Sequence, residues 1–202
     1  MQIVRANERK DGARDGIGRL YAEGFGHWLR FFSEDTAVLA RAFRHMFLTE
    51  EFYVAFIDGQ VAGMAACTDG RTAPVKLDKA ELKKHLGFFK GTIAYMALKP
   101  TLEKLPYPFA LDENTATIEY VATALQYRRQ GVAGATVRHI IDNTAYQSYV
   151  LTVADSNAGA VKLYESLGFY ELRRVRDKHP QQSGIRDHII MRYDKGETAV
   201  AP

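Results

Sequence analysis

The stretch IEYVATALQYRRQGVAGATV, residues 118–137, constrains the fold more than any other part of the chain. It closes an apolar, β-branched run at 116–123, turns, passes two arginines and two glycines, and enters an amphipathic pattern over 131–145. A strand that runs through a glycine-containing loop straight into a helix is a building unit of mixed α/β domains. Glycine at a helix start lets the backbone approach a ligand closely, and the free N–H groups and helix dipole there favour a phosphate. Arg128 and Arg129 add positive charge at the same point. The P-loop pattern fails, because no Lys-Ser/Thr follows the second glycine. The dinucleotide pattern G-x-G-x-x-G fails too, because Gly131 and Gly134 are the only glycines here. Two readings stand on this segment: a phosphate-containing ligand, or a helix start whose small residues pack against a neighbour.

The remaining patterns predict one mixed α/β domain. QIVRA (2–6) reads as a strand. Helical spacing of Ile17, Leu20, Tyr21, Phe25 and Trp28 predicts a helix from Asp11 to about Arg30, weakened by four glycines in its course, with Trp28 in the core. A second helix fits Glu34–Leu48, capped by Ser33. FYVAFIDGQVAGMAACTD (52–69) reads as strand, Asp58-Gly59 turn, strand. Residues 70–114 form an insertion: Asp78 and Glu81 resemble a capping box for a helix at 79–86, and a further helix spans Phe88–Leu98. The segment after it carries Pro100, Pro106 and Pro108, which excludes regular helix. After the 131–145 helix come a strand at 149–153, a helix capped by Asp155 or Ser156 and ended by Gly168, and two alternating runs, 169–176 and 187–193, that pair antiparallel. The domain occupies 1–195, with a frayed tail at 196–202.

Composition narrows the function. The chain has 202 residues, 47% hydrophobic and 25% charged, with a formal net charge of +3. That excludes wholesale disorder and argues against nucleic acid as a partner. No window approaches the roughly 18 apolar residues of a membrane span, so no membrane partner is expected. The single cysteine, Cys67, has no internal disulfide partner, which favours a reducing cytoplasm, and it reads as a small buried apolar residue. The six histidines lack metal-ligand spacing, so no metal is expected.

Two motifs taken together resemble the GCN5-related N-acetyltransferase (GNAT) superfamily. The acetyl-CoA motif of that family, Gln/Arg-x-x-Gly-x-Gly/Ala after a strand, is matched by Arg128-Arg129-Gln130-Gly131-Val132-Ala133. The next motif, a strand, an Asn near a helix start, then Tyr and Gly-Phe, is matched in YVLTVADSNAGAVKLYESLGF by Asn157, Tyr164, Gly168 and Phe169. Leu125 stands where Pro is common, and Arg129 where Gly is common. Family members commonly run the third strand almost directly into the fourth, whereas this chain places about 45 residues between them.

The resemblance implies an acyl-CoA N-acyltransferase fold: a central, mostly antiparallel sheet with splayed fourth and fifth strands (116–123 and 149–153), flanked by helices. It implies acetyl-CoA as cosubstrate, with the N–H groups of Gln130, Gly131, Val132, Ala133 and Gly134 cradling the pyrophosphate and Arg128 and Arg129 beside it. The backbone of Val121, Ala122 and Thr123 would hold the pantetheine arm together with Asn157. Tyr164 would sit by the thioester sulfur as proton donor. Glu119, four residues before Thr123 and read as sharing its strand face, is the candidate base. The acceptor would be a primary amine of a small molecule, with the 24–34 and 176–187 segments shaping its site and the insertion narrowing access. The alternatives are an acetyltransferase for a protein or peptide amine, and a non-catalytic acyl-CoA-binding or regulatory domain. A homodimer is in keeping with the family.

Overall fold

In the computed structural model, residues 1–9, 12–104, 107 and 109–196 are described. Asp11, Pro106, Pro108 and the tail beyond Gly196 lie outside the described residues, and so do the expectations that rest on them. One seven-stranded sheet runs through the molecule. Its strands are β1 (Gln2–Arg5), β2 (Phe52–Ile57), β3 (Gln60–Thr68), β4 (Thr115–Thr123), β5 (Ser148–Ala154), β6 (Tyr170–Arg176) and β7 (Asp187–Asp194). They lie in the order β1-β2-β3-β4-β5-β7-β6, and only the β4–β5 pair is parallel. The β2–β3 hairpin turns on Asp58 (φ 50°) and Gly59 (φ 76°), the paired left-handed conformations that an Asp-Gly turn supplies.

Among the described residues seven α-helices complete the fold: α1 (Ala13–Phe25), α2 (Thr36–Phe43), α3 (Lys79–Leu86), α4 (Phe88–Leu102), α5 (Val132–Asn143), α6 (Ala158–Ser166) and the short α7 (Pro180–Ser183). Ile17, Leu20, Phe43, Phe47, Leu82 and Ala94 bury one face of the sheet, so the insertion helices α3 and α4 extend the layer begun by α1 and α2. On the opposite face Val137, Ile140, Ile141 and Tyr164, from α5 and α6, pack on Ala65, Ile118, Tyr149 and Leu151. None of the described helices is long and apolar enough to cross a membrane.

Several local expectations are corrected. Asp35, not Ser33, caps α2: its Oδ1 accepts from the Ala37 and Val38 N–H groups at 2.7 and 3.3 Å, while Ser33 Oγ accepts from the Asp35 N–H. Asn157, not Asp155 or Ser156, caps α6 by accepting from the Ala160 N–H at 3.2 Å. Pro100 lies inside α4. It sits in the last turn, where its missing N–H forfeits one bond, and the Glu103 N–H still closes on the Lys99 carbonyl at 3.0 Å. The capping box at α3 is half made: Asp78 accepts from the Ala80 and Glu81 N–H groups, but its own N–H goes to His45 Nε2 at 2.9 Å. Gly168 ends α6 as expected, with Phe169 N–H on the Tyr164 carbonyl and Gly168 N–H on the Glu165 carbonyl, the Schellman pattern. Trp28 is not core; it is 57% exposed.

Candidate active site

β4 and β5 pair only at Thr115–Ser148, Ala116–Tyr149 and Thr117–Val150, and then part. The gap opens into a cleft of about 420 Å³. Val121, Ala122, Thr123 and Arg128 line one wall, and Ala154, Ser156 and Asn157 the other. Phe25 and Trp28 reach it from the end of α1 and the turn after it, and Ser183 and Ile185 from the β6–β7 connection. Residues separated in sequence as a strand end and a distant helix cap therefore share one groove.

Outside the cleft, the chain enters α5 through two left-handed residues, Arg129 (φ 61°) and Gly131 (φ 78°). This accounts for the glycine that the family prefers at position 129, since an L side chain carries a steric cost there. No side chain caps α5, and its first bond runs from the Ala135 N–H to the Gly131 carbonyl at 2.9 Å. The N–H groups of Val132, Ala133 and Gly134 precede that bond and have no helical acceptor. Arg128 and Arg129 are exposed beside them. An uncapped helix start flanked by two guanidinium groups fits a pyrophosphate. Gly134 permits α6 to lie close, because a Cβ there would meet Leu163 Cδ1 at 3.2 Å.

Two residues past the last β4–β5 rung, Thr117–Val150, β4 carries Glu119. Two residues of β4, Tyr120 and Val121, stand opposite one of β3, Ala65, and Tyr120 has a φ of 53°. This bulge slips the alternation of the strand. Ile118 and Val121 pack with α5 and α6, whereas Tyr120 and Ala122 pack with α1 and α2. Glu119 and Thr117 therefore share the α1 face, and Thr123 falls on the other, which corrects the shared face expected for Glu119 and Thr123. Burial pushes the Glu119 carboxyl above the usual carboxylate range, and the Thr117 hydroxyl, donating at 3.0 Å, partly offsets this. Thr117 is in turn 2.8 Å from the Thr68 hydroxyl.

Tyr164 lies on the opposite face, buried in the α5–α6 layer, and burial pushes its hydroxyl up to about 12. A phenol held that way stays protonated at neutral pH and is able to donate a proton. Asn157 uses its side-chain oxygen on the α6 cap, which leaves its NH₂ group able to donate into the cleft. Cys67 is buried and its thiol is pushed up to about 12, so it is no nucleophile. Among the described residues no group of three or more His, Cys, Asp or Glu is placed to hold a metal.

The sequence reading did not single out Tyr107. Its hydroxyl donates to the Val150 carbonyl at 3.3 Å, at the rung where β4 and β5 part. Its only sequence signal is an aromatic among prolines. Thr117 was also missed, and a threonine two residues from a candidate base is its only trace.

Comparison with known proteins gives the following. A model described as the acetyltransferase (GNAT) family matches residues 21–169. The chain is 42% identical over 84 residues to the ribosomal protein bS18-alanine N-acetyltransferase of Escherichia coli (strain K12), an overlap covering 40% of this chain and 55% of that protein. The chain thus spans about half the length of the curated relatives it matches. Among solved structures, an N-acetyltransferase from Staphylococcus aureus Mu50 superposes with a TM-score of 0.62 at 17% identity, covering 96% of this chain and all of that one. The ribosomal-protein-S18-alanine N-acetyltransferase of Escherichia coli gives 0.55 at 20% identity, covering 100% and 96%. At these identities the structures attest the shared fold.

Proposed function

The chain belongs to the acetyltransferase (GNAT) family, and from that premise we propose that the single domain over 1–195 transfers an acetyl group from acetyl-CoA to a primary amine by direct attack in a ternary complex. The observation that carries this reading is the cleft between β4 and β5 beside an uncapped, basic helix start, with a buried carboxyl on β4 two residues past the point where the strands part.

Acetyl-CoA supplies the acyl group as a thioester. The N–H groups of Gln130 to Gly134, with Arg128 and Arg129, bind its pyrophosphate. The backbone of Val121 to Thr123 and the Asn157 NH₂ hold the pantetheine arm. Glu119 takes a proton from the arriving ammonium, which frees the nitrogen lone pair to form the C–N bond. A lysine-type amine has a reference pKa of about 10.4 and an α-amine about 7.7–8.0, so either needs this help, the first far more. The raised carboxyl lies closer to the working pH, where a base is most effective. Tyr164 gives its proton to the sulfur as the C–S bond breaks. The ammonium gives one proton to Glu119 before it attacks. The nitrogen, cationic once the C–N bond has formed, loses a second, which through solvent restores the proton that Tyr164 gave to the sulfur. Glu119 releases the first to solvent, so that ammonium and thioester become amide, thiol and one free proton.

The acceptor is a compact primary amine, because the insertion helices thicken the layer on the Glu119 face. A second reading, an alanine α-amine at the end of a protein, is favoured by the names of the curated relatives. The test is acetyl-CoA binding by calorimetry, followed by thiol release with a panel of small primary amines and a pentapeptide beginning with alanine. Binding with turnover by either acceptor class supports the transferase. Binding without turnover by any amine favours the acyl-CoA-binding domain instead.

A further inference from the structure

The insertion helix α4 is apolar on two opposite faces. Gly91 lies against the α3 backbone, where a Cβ would meet Lys83 Cα at 2.6 Å, and Ala94, Tyr95, Leu98 and Leu102 pack on the core. Phe89, Ile93, Met96 and Pro100 recur at four, three and four residues, so they form one stripe along the other side. That stripe stands in solvent: Phe89 is 79%, Ile93 46% and Met96 68% exposed. Phe88, also exposed, meets the Phe89 ring edge-on at 5.5 Å and widens the stripe at its start. A surface helix buries one apolar stripe and turns a polar face to water, whereas a helix apolar all round calls for cover on both sides.

We propose that the outer face of α4 rests on an anionic lipid surface, with Phe88 and Phe89 dipping below the headgroups and Lys83 and Lys90 among them. The charges beside the stripe carry the choice of partner. α4 holds two lysines, Lys90 and Lys99, and no acidic residue. Lys83, near the end of α3, reaches over the Phe88 ring at 4.2 Å. Lys84 is answered by Glu81 and Lys99 by Glu103, but among the described residues no carboxylate lies within ion-pair distance of Lys83 or Lys90. A second copy is a poor occupant for this face. Packed antiparallel about the middle of the stripe, Lys90 of one copy would meet Lys99 of the other, and packed parallel each lysine would meet itself. A folded acidic partner would need a groove to receive a convex ridge with two protruding rings, whereas a fluid interface conforms to it. Aromatic side chains on one side of a helix with lysines beside them are what lying in a membrane interface requires. α4 is not long and apolar enough to cross a membrane, and lying flat needs no span.

The test is sedimentation of the full chain with two kinds of vesicle: phosphatidylcholine alone, and phosphatidylcholine with an equal part of phosphatidylglycerol. A lysine near an anionic surface is worth roughly fivefold in partition, so Lys83 and Lys90 together predict a preference of roughly 25-fold for the anionic vesicles. Raising the salt from about 0.1 to about 1 M shortens the screening length from about 10 to about 3 Å and is expected to erase that preference. Lys83→Gln with Lys90→Gln should erase it at low salt. Phe88→Ser with Phe89→Ser should abolish binding to both vesicles at unchanged Tm, since both rings are exposed. In Phe89→Trp the emission should shift to the blue on anionic vesicles and be quenched by brominated acyl chains, beyond any change from the native Trp28. A wild type that does not sediment with the anionic vesicles overturns the proposal. So does equal binding to the two vesicles, and so does binding that survives the double serine change. A wild type that is dimeric in solution and turns monomeric with Phe88→Ser and Phe89→Ser gives the face to a second copy and overturns it as well.

Discussion

The Thr117 hydroxyl donates to Glu119 Oε1 at 3.0 Å and, since its hydrogen is used there, accepts from Thr68 at 2.8 Å. Thr68 Oγ in turn accepts from the Gly70 N–H at 3.2 Å. The chain of donors runs one way, from the β3–α3 loop to the carboxylate. It stabilises the ionised form of Glu119 against the burial that disfavours it. Thr117→Val removes the last donor and keeps the shape. The Glu119 pKa then rises further, and the acid limb of the kcat/KM profile moves to higher pH. A hydrogen bond to a charged group contributes about 1.5–3 kcal/mol, which corresponds to a shift of about one to two pH units. A profile that stays in place under this substitution would separate Glu119 from the acid limb.

Glu119→Gln tests the same group through stability as well as rate. As a general base its loss is expected to lower kcat by about 10²–10⁴ while acetyl-CoA affinity holds. The linkage sign follows from the raised pKa. As pH rises, the unfolded chain ionises first, so the native state loses stability from the unfolded pKa upward until the folded pKa is passed. Gln carries no such loss. The Tm of Glu119→Gln relative to the wild type should therefore climb as pH increases above about 4, and match it in acid. A Tm difference independent of pH would contradict the burial of an ionising carboxyl.

Arg129 holds a left-handed φ of 61° at the edge of the proposed pyrophosphate site. Arg129→Gly relieves a cost of about 1–2 kcal/mol and adds unfolded-state entropy that offsets part of it. A net gain near 1 kcal/mol corresponds to a Tm rise of about 2–4 °C. Acetyl-CoA affinity should weaken as one cation leaves. Thermal melts and calorimetry together read the two opposing effects. Arg129→Val keeps the charge loss and worsens the strain, so it should lower both.

Legibility in the sequence followed the range of the interaction. The strand, glycine loop and helix of 116–145 were readable because each element is decided within a few residues. Helix caps were misplaced by one or two positions. Ser33 and Asp35, or Asp155, Ser156 and Asn157, are all competent cap residues, and the backbone approach chooses among them. The bulge at Tyr120 left no mark in the composition of β4, yet it moved Thr123 to the face opposite Glu119. Trp28 has core-like spacing but lies where α1 has given way to a 3-10 turn, which carries it out to the cleft. Tyr107 was not legible because its hydrogen-bond partner, the Val150 carbonyl, lies 43 residues on and is met only in the folded sheet.

Gly63 links sheet packing to the cofactor end of the site. A Cβ built on it would lie 2.5 Å from Val132 Cγ1, and Val132 is the first residue of α5. Val132 is a buried, β-branched side chain with little freedom to turn aside. Gly63→Ala must therefore lift the start of α5 from β3, at a cost of about 1–3 kcal/mol. The same movement displaces the N–H groups of Val132 to Gly134, so acetyl-CoA affinity falls along with stability. Val132→Ala in the Gly63→Ala background removes the colliding methyl groups. In a double-mutant cycle the pair should be less damaging than the sum of the two single changes, in both Tm and acetyl-CoA Kd. If the two substitutions simply add, the position of α5 does not depend on this contact, and the uncapped helix start is held in place by its packing on α6 through Gly134 and Leu163.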